Sequence, residues 1–285
     1  MPVAAGTPDL VWGRGTYVMG IVNATTDSFS GDGCGPDPAA AIARGLTQAQ
    51  AGCHILDVGG ESSRPGAQPV APDLELRRVV PVVAALARQT DVPISVDTSK
   101  LEVAEAALDA GARILNDVWG LRHARALAGL AARYGAAVIL MHNRAATPTV
   151  DGLGGMYAEV AYRDLLAEVR SELWEAATLA EATGIPPGRI WLDPGLGFGK
   201  TPAQSLEILR RLGELRGPYP LLVGPSRKSF IGRVTGRTAP ERDPGTAAAV
   251  ALAVAAGADV VRVHDVAGML QVAAVADAIC RGWPR

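Results

Sequence analysis

Val260-Val261-Arg262-Val263-His264-Asp265 is a short β-branched run that ends in charged and polar residues. Side chains alternate along a strand, so Arg262 and His264 share one face and Val261 and Val263 the other. Seven other runs end in the same way: Val18 to Asn23, Ile55 to Gly60, Ile94 to Thr98, Ile114 to Asp117, Ala137 to His142, Ile190 to Asp193 and Leu221 to Ser226. Each is followed by a stretch long enough for a helix, the signature of repeated βα units and a parallel sheet. Eight buried strands whose polar ends share one face predict an α/β fold, a single-domain (β/α)8 TIM barrel. The functional residues of such a barrel lie at its C-terminal face, where the βα loops converge.

Length and composition agree with one barrel. The chain has 285 residues, 48% of them apolar, and this fold needs about 250. Residues 1–16 precede the first run as an N-terminal extension. A formal net charge of −2 gives no reason to expect nucleic acid or a membrane surface as partner. The most apolar stretch, Thr246 to Ala258, is too short for a bilayer span of about 20 residues and reads as a core-facing helix. The first sixteen residues lack a basic start, so no signal peptide is expected. Cys34, Cys53 and Cys280 are odd in number and unspaced for metal, which predicts a reduced, cytoplasmic protein.

The strand ends carry the candidate chemistry. The first opens a loop, Ala24 to Gly33, rich in hydroxyls, acids and glycines, that is able to close over a site. The second reads Asp57-Val58-Gly59-Gly60-Glu61-Ser62-Ser63-Arg64-Pro65-Gly66, where glycines admit a ligand and Arg64 supplies donors for phosphate oxygens. The third, fourth and sixth deliver Asp97, Asn116 and Asp193. A buried Asp must meet a donor, and three such groups without a matching set of bases predict a ligand rich in N–H donors, such as the 2-amino-4-oxo edge of a pterin or guanine. Asp117 fits a loop-capping role better than Asn116 does.

The seventh and eighth strand ends supply the opposite charge. Gly224-Pro225-Ser226-Arg227-Lys228-Ser229 stands where barrels often bind phosphate, ahead of a short helix expected from Phe230 to Val234. Arg262 and His264, with Arg64, complete a predicted pyrophosphate cradle. His142 reads equally as structural or functional, and His54 and His123 as structural. Gly195-Leu196-Gly197-Phe198-Gly199-Lys200-Thr201 fits neither the Walker A nor the dinucleotide spacing, and is expected to bring close backbone to the ligand. Of 27 basic residues only Lys100, Lys200 and Lys228 are lysines, each just beyond a strand end; Lys228 is the foremost functional candidate among them. No tightly caged metal is expected, although Mg2+ held mainly by ligand phosphates is compatible with the pattern.

From about Tyr17 to Ile279 the chain resembles the dihydropteroate synthases of folate biosynthesis. The resemblance rests on Asn-x-Thr-x-Asp-Ser-Phe-Ser, Asp-Val-Gly-Gly-Glu-Ser-Ser-Arg-Pro-Gly, Val-Asp-Thr, Asn-Asp-Val, Leu-Asp-Pro-Gly-x-Gly-Phe-x-Lys, Ser-Arg-Lys-Ser and Arg-Val-His-Asp-Val, in that order. It implies a barrel that joins 4-aminobenzoate to 6-hydroxymethyl-7,8-dihydropterin diphosphate. Carried onto this chain, it implies that Asp97, Asn116, Asp193 and Lys228 hold the pterin, with Met141 lining the pocket. Asn23, Arg64, Arg262 and His264 would hold the diphosphate, with Asn23 also touching Mg2+. Phe29, Ser63, Pro65, Lys228 and Ser229 would shape the 4-aminobenzoate side. If C–O cleavage comes first, leaving-group stabilisation matters more than a strong base, and Asp32, Lys228, Arg262 and His264 are the implied catalytic groups.

The first loop departs from the family pattern: Ser30 is followed by Gly31-Asp32-Gly33 rather than Asp-Gly-Gly. Two alternatives stand beside the synthase: a non-catalytic pterin-binding paralogue, which the altered loop supports, and a methyltetrahydrofolate-dependent methyltransferase, whose barrel is similar in its Asp and Asn pterin contacts. The second has no need of Arg64, Lys228 and the Arg262/His264 pair. The apolar faces of Pro244 to Gly257 and Ala267 to Ile279 are able to pack a partner, and the resemblance implies a homodimer.

Overall fold

The computed structural model describes residues 10–25, 38–62, 67, 69–145, 149–156 and 161–282. Its first half alternates strictly: β1 (Tyr17–Asn23), α1 (Pro38–Gln50), β2 (Ile55–Gly59), α2 (Pro72–Gln89), β3 (Ile94–Asp97), α3 (Leu101–Ala110), β4 (Ile114–Asp117), α4 (Ala126–Tyr134) and β5 (Ala137–Met141). A small antiparallel hairpin, β6 (Thr149–Asp151) and β7 (Gly154–Met156), interrupts the pattern. Alternation resumes with α5 (Leu165–Glu181), β8 (Ile190–Asp193), α6 (Pro202–Arg210), β9 (Leu222–Val223), α7 (Ser229–Thr235), α8 (Asp243–Ala255), β10 (Val260–Val263) and α9 (Val266–Arg281).

The eight barrel strands pair in the order β8-β5-β4-β3-β2-β1-β10-β9. A parallel bridge from Leu192 to Leu221 closes the ring, with Leu192 N donating to Pro220 O at 2.9 Å. All eight runs predicted as strands are barrel strands. The hairpin is the unexpected addition.

Side-chain alternation turns the strands into a two-level interior. The lower level is apolar, built from Met19, Ile55, Ile114, Ala137, Ile139, Trp191, Leu222 and Val260. Two residues further on, the same inward faces carry Asp57, Asn116, Met141, Asp193 and Arg262. An apolar plug thus supports a polar mouth. Of the N-terminal extension, residues 10–16 are described, and Leu10 and Trp12 pack beneath the plug. Trp12 meets Trp191 edge-on at 5.2 Å and donates to Gly188 O at 3.2 Å. Outside the ring, a second apolar cluster fills the space between strands and helices.

Helix ends follow from local chemistry. Thr201 and Gln204 form a capping box at α6. Asp265 accepts from Gly268 N at the start of α9, and Gly135, left-handed at φ 62°, ends α4.

Candidate active site

Four strands contribute to one buried charge network at the mouth. Arg262 on β10 donates through Nε to Asp57 Oδ2 on β2 at 2.6 Å, and through Nη2 to Asp97 Oδ2 on β3 at 2.9 Å. Asn116 on β4 donates through Nδ2 to the same Asp57 oxygen at 3.1 Å. The strand register brings Asp97 directly beside Asn116. Asp57 is fully buried, and its Oδ1 has no hydrogen-bond partner among the described residues. Burial pushes the Asp97 carboxyl above its ordinary range, while the Arg262 guanidinium pulls it down and Asp57 opposes that pull. Two carboxylates orient the Arg262 guanidinium; its Nη1 is uncommitted among the described residues.

Across the mouth, Asp193 ends β8. Its Oδ1 accepts from Gly195 N at 2.7 Å, which leaves the second oxygen for a ligand. Burial raises its pKa, and the Lys228 charge and the Gly195 N–H work in the opposite direction. The Lys228 ammonium donates to Leu196 O and lies 4.6 Å from the centre of the Phe198 ring. Burial and the Arg262 charge lower its pKa to about 8 against the attraction of Asp193.

Lys228 is aimed by a strained turn. Arg227 adopts φ +56°, unusual for a residue with a Cβ. The strain is held by a bidentate pair with Asp243, both contacts 2.8 Å, and by its amide donating to Thr246 Oγ1 at 3.0 Å. Arg242, itself buried, donates to Arg227 O and Leu153 O at 3.0 Å each, which ties the β6–β7 hairpin to this turn. Ser229 follows as the first residue of α7, so the predicted helix is present and starts one residue earlier than expected.

On the same side, Ser226 Oγ accepts the His264 backbone N–H at 3.2 Å and lies 2.9 Å from His264 Nδ1. Ser226 thus fixes the orientation of the His264 ring from the Nδ1 side.

The nine described residues given a substrate, metal or catalytic role from the sequence line one cavity of about 960 Å3: Asn23, Asp97, Asn116, Met141, Asp193, Lys228, Ser229, Arg262 and His264. That volume accommodates two small substrates. The readings made for Phe29, Asp32, Ser63, Arg64 and Pro65 lie outside the described residues. Sequence reasoning passed over Asp57 and Phe198, which meet Arg262 and Lys228. Asp117 caps a loop, accepting from Trp119 N and Leu121 N. His54 sits away from the mouth, its Nδ1 accepting from Val18 N at 3.0 Å.

Fold and mouth together define a barrel enzyme whose ligand site opposes buried carboxylates to a lysine and a histidine. The pterin-binding enzyme family matches residues 19–264. The dihydropteroate synthase of Synechocystis is 45% identical over 98% of this chain and 96% of its own. A crystal structure of the dihydropteroate synthase from Clostridium difficile, in the presence of pteroic acid, superposes with a TM-score of 0.86 at 41% identity, covering 95% of this chain and 99% of that one. The Xanthomonas albilineans dihydropteroate synthase with 4-aminobenzoic acid gives 0.83 at 43% identity over 94% of both chains. The chain belongs to the dihydropteroate synthase family of pterin-binding enzymes.

Proposed function

We propose that this mouth binds 6-hydroxymethyl-7,8-dihydropterin diphosphate between Asp193 and the Asp97–Asn116 pair and condenses it with 4-aminobenzoate. The observation that carries the assignment is the convergence of three carboxylate or amide acceptors, from β3, β4 and β8, on one cavity that Lys228 and His264 also line. A 2-amino-4-oxo ring edge presents several N–H donors, and each hydrogen bond to a charged acceptor contributes about 1.5–3 kcal/mol. Lys228, beside Asp193, meets the ring's acceptors, and Met141 packs on its face.

The diphosphate would extend toward Arg262 Nη1, His264 and Asn23, with Arg64 as a further donor. The C–O bond breaks with its electron pair leaving on the diphosphate oxygen. The amine nitrogen supplies the pair for the new C–N bond and releases a proton to solvent. Donors fixed in advance by Asp57, Asp97 and Ser226 stabilise the leaving group without reorganising. The 4-aminobenzoate would lie along Lys228 and Ser229, with Phe29, Ser63 and Pro65 shaping the same side and Asp32 near the reacting carbon.

Mg2+ fits this donor set. Among the described residues no cluster of three His, Cys, Asp or Glu exists to cage a metal, whereas Mg2+ prefers substrate phosphates, waters and one or two protein oxygens. The Asn23 amide oxygen would be that protein ligand, and the bound ion would neutralise charge on the departing diphosphate.

A homodimer is supported by the apolar side chains Leu252 on α8 and Val275 and Ile279 on α9, which are 65%, 61% and 77% exposed. A cytoplasmic site of action is supported by the sparse cysteines and the free thiol of Cys53. No helix among the described residues is long and apolar enough to cross a membrane.

The deciding experiment is diphosphate release by the purified protein with the dihydropterin diphosphate and Mg2+, with and without 4-aminobenzoate, alongside detection of dihydropteroate. Product that depends on 4-aminobenzoate is expected. Tight pterin binding without product would replace the synthase reading by the non-catalytic one.

A pH dependence follows from Lys228. Its charge is present below and lost above a pKa of about 8, so kcat/KM for the anionic substrates should fall on the alkaline side with a midpoint near that value. In Lys228→Arg, whose guanidinium stays charged, that limb should vanish. An unchanged limb in the arginine variant would assign the titration elsewhere.

A further inference from the structure

Lys200 is only 1% exposed, and among the described residues no carboxylate lies within ion-pair distance of its ammonium. Its three partners are His142 Nδ1 at 2.8 Å, Phe198 O at 3.1 Å and His142 O at 3.3 Å. An ammonium has three N–H donors, and here three acceptors converge on it. The planar, larger fork of arginine does not match that arrangement, which accounts for lysine here in a chain that uses arginine at all but three of its basic positions. Burial drives the Lys200 pKa well below its ordinary value, with the Asp193 charge pulling the other way, so the amine is kept here at a cost to the fold, and an isolated structural role is a poor explanation for it.

The three partners show what the ammonium organises. Phe198 belongs to the loop after β8, whose glycines 195, 197 and 199 are all left-handed, at φ +66°, +77° and +58°. A Cβ on Gly195 would fall 2.0 Å from His142 O, and one on Gly199 2.2 Å from the Arg144 carbonyl carbon. The loop therefore lies flush against the segment after β5, and Lys200 pins the two together. On its far side the same loop offers Leu196 O and the Phe198 ring to Lys228. Behind Lys200, His142 Nε2 approaches Glu172 Oε2 on α5 at 3.1 Å, and Glu172 is also paired with Arg122 and Arg144. His142 is neutral, its pKa driven down to about 2 by burial and then by the charges of Lys200, Arg122 and Arg144, so its Nδ1 is free to accept from the lysine.

We propose that Lys200 is a positioning residue: by gripping His142 Nδ1 and the His142 and Phe198 carbonyls it fixes the Gly195–Gly199 loop so that Leu196 O and Phe198 hold Lys228 against the 4-aminobenzoate side of the mouth. The proposal rests on the assignment of Lys228 and Ser229 to that substrate. Of the pterin contacts, Asp97 and Asn116 lie on the other wall and share no partner with Lys200, whereas Asp193 and Lys228 touch the loop it fixes, so the effect on the pterin should be the smaller one.

The test is a comparison of KM for 4-aminobenzoate with the Kd for the dihydropterin diphosphate. Lys200→Met keeps most of the aliphatic side chain and removes the three donors; KM should rise at least about 10-fold, while Kd, still supported by Asp97 and Asn116, should rise by a clearly smaller factor. His142→Leu, which removes one acceptor, should move the same constant in the same direction. His142→Asn, whose amide oxygen stands near the place of Nδ1, should restore KM to within about 3-fold of the parent. A merely structural lysine would instead lower the active fraction, and so kcat, with both constants unchanged. That result, or a parallel loss of affinity for both substrates, would overturn the proposal. Should Lys200→Met fail to fold, the His142 pair still decides it. A wild-type protein that forms no dihydropteroate would overturn the substrate assignment itself, a separate failure visible before any variant is measured.

Discussion

Arg262→Met should destabilise the protein by about 3–5 kcal/mol at pH 8 and lower turnover at least about 100-fold, because it leaves Asp57 and Asp97 buried around the place of their shared cation. In the parent, Arg262 Nε and Nη2 hold one carboxylate each, at 2.6 and 2.9 Å, and Asp57 has no exposed surface at all. Methionine is shorter than arginine but close to it in volume, so the loss is of charge and donors more than of volume. The effect also has a direction in pH. Burial already raises the Asp97 pKa even with Arg262 in place, and removing the cation would raise it further. A carboxyl whose folded pKa lies above its unfolded value binds more protons in the folded state, so stability falls as pH rises from the unfolded value through the folded one. The deficit of the variant should accordingly be smaller at about pH 5 than at pH 8. Urea unfolding of both proteins at the two pH values measures this; an equal deficit at both would mean that packing, not charge, is what Arg262 supplies.

That arrangement was only half legible in the sequence. Arg262 and His264 announce themselves as polar residues on one face of an apolar strand, and Asp97, Asn116 and Asp193 as strand ends. Their convergence follows from the barrel, whose eight strands bring every C-terminal end to one rim. Asp57 escapes the same reading because it sits two residues inside the β2 run rather than at its limit. Its signal was nonetheless present, since an acid within Ile55-Leu56-Asp57-Val58 is a buried charge that requires a donor. The β6–β7 hairpin leaves no comparable trace: three-residue strands, one of them beginning Gly154-Gly155, are too short for period-two patterning to show. Glu172 is illegible for a different reason. It lies on α5 among ordinary helical polar residues, 28 positions from Arg144 and 50 from Arg122, and its role behind His142 exists only once the chain has folded. Local alternation is written in the sequence, whereas pairing between distant polar residues is decided by packing.

Asp193→Asn should weaken binding of the dihydropterin diphosphate at least about 100-fold, while the KM for 4-aminobenzoate at saturating pterin changes only a few-fold. Asp193 is buried, and one of its oxygens is committed to Gly195 N at 2.7 Å. An asparagine would turn its carbonyl to that N–H and place its NH2 where the second carboxylate oxygen stood, donor against the donors of the ring edge. The charge-assisted bonds so lost contribute about 1.5–3 kcal/mol each, and about 1.4 kcal/mol is a tenfold change in Kd, so two of them suffice for the predicted loss. Stability should move the other way. Burial holds the Asp193 pKa above its ordinary value, so its ionised form costs folding free energy at neutral pH, and that cost disappears when the carboxyl does. The ligand-free variant should unfold at the same or a higher urea concentration than the parent, as expected of a binding group maintained at the expense of the fold. Titration calorimetry and urea unfolding of the same preparation read both quantities. A variant that binds pterin poorly and is also less stable would make Asp193 a structural anchor of the Gly195 loop, and the ring edge would then have to be held by Asp97 and Asn116 alone.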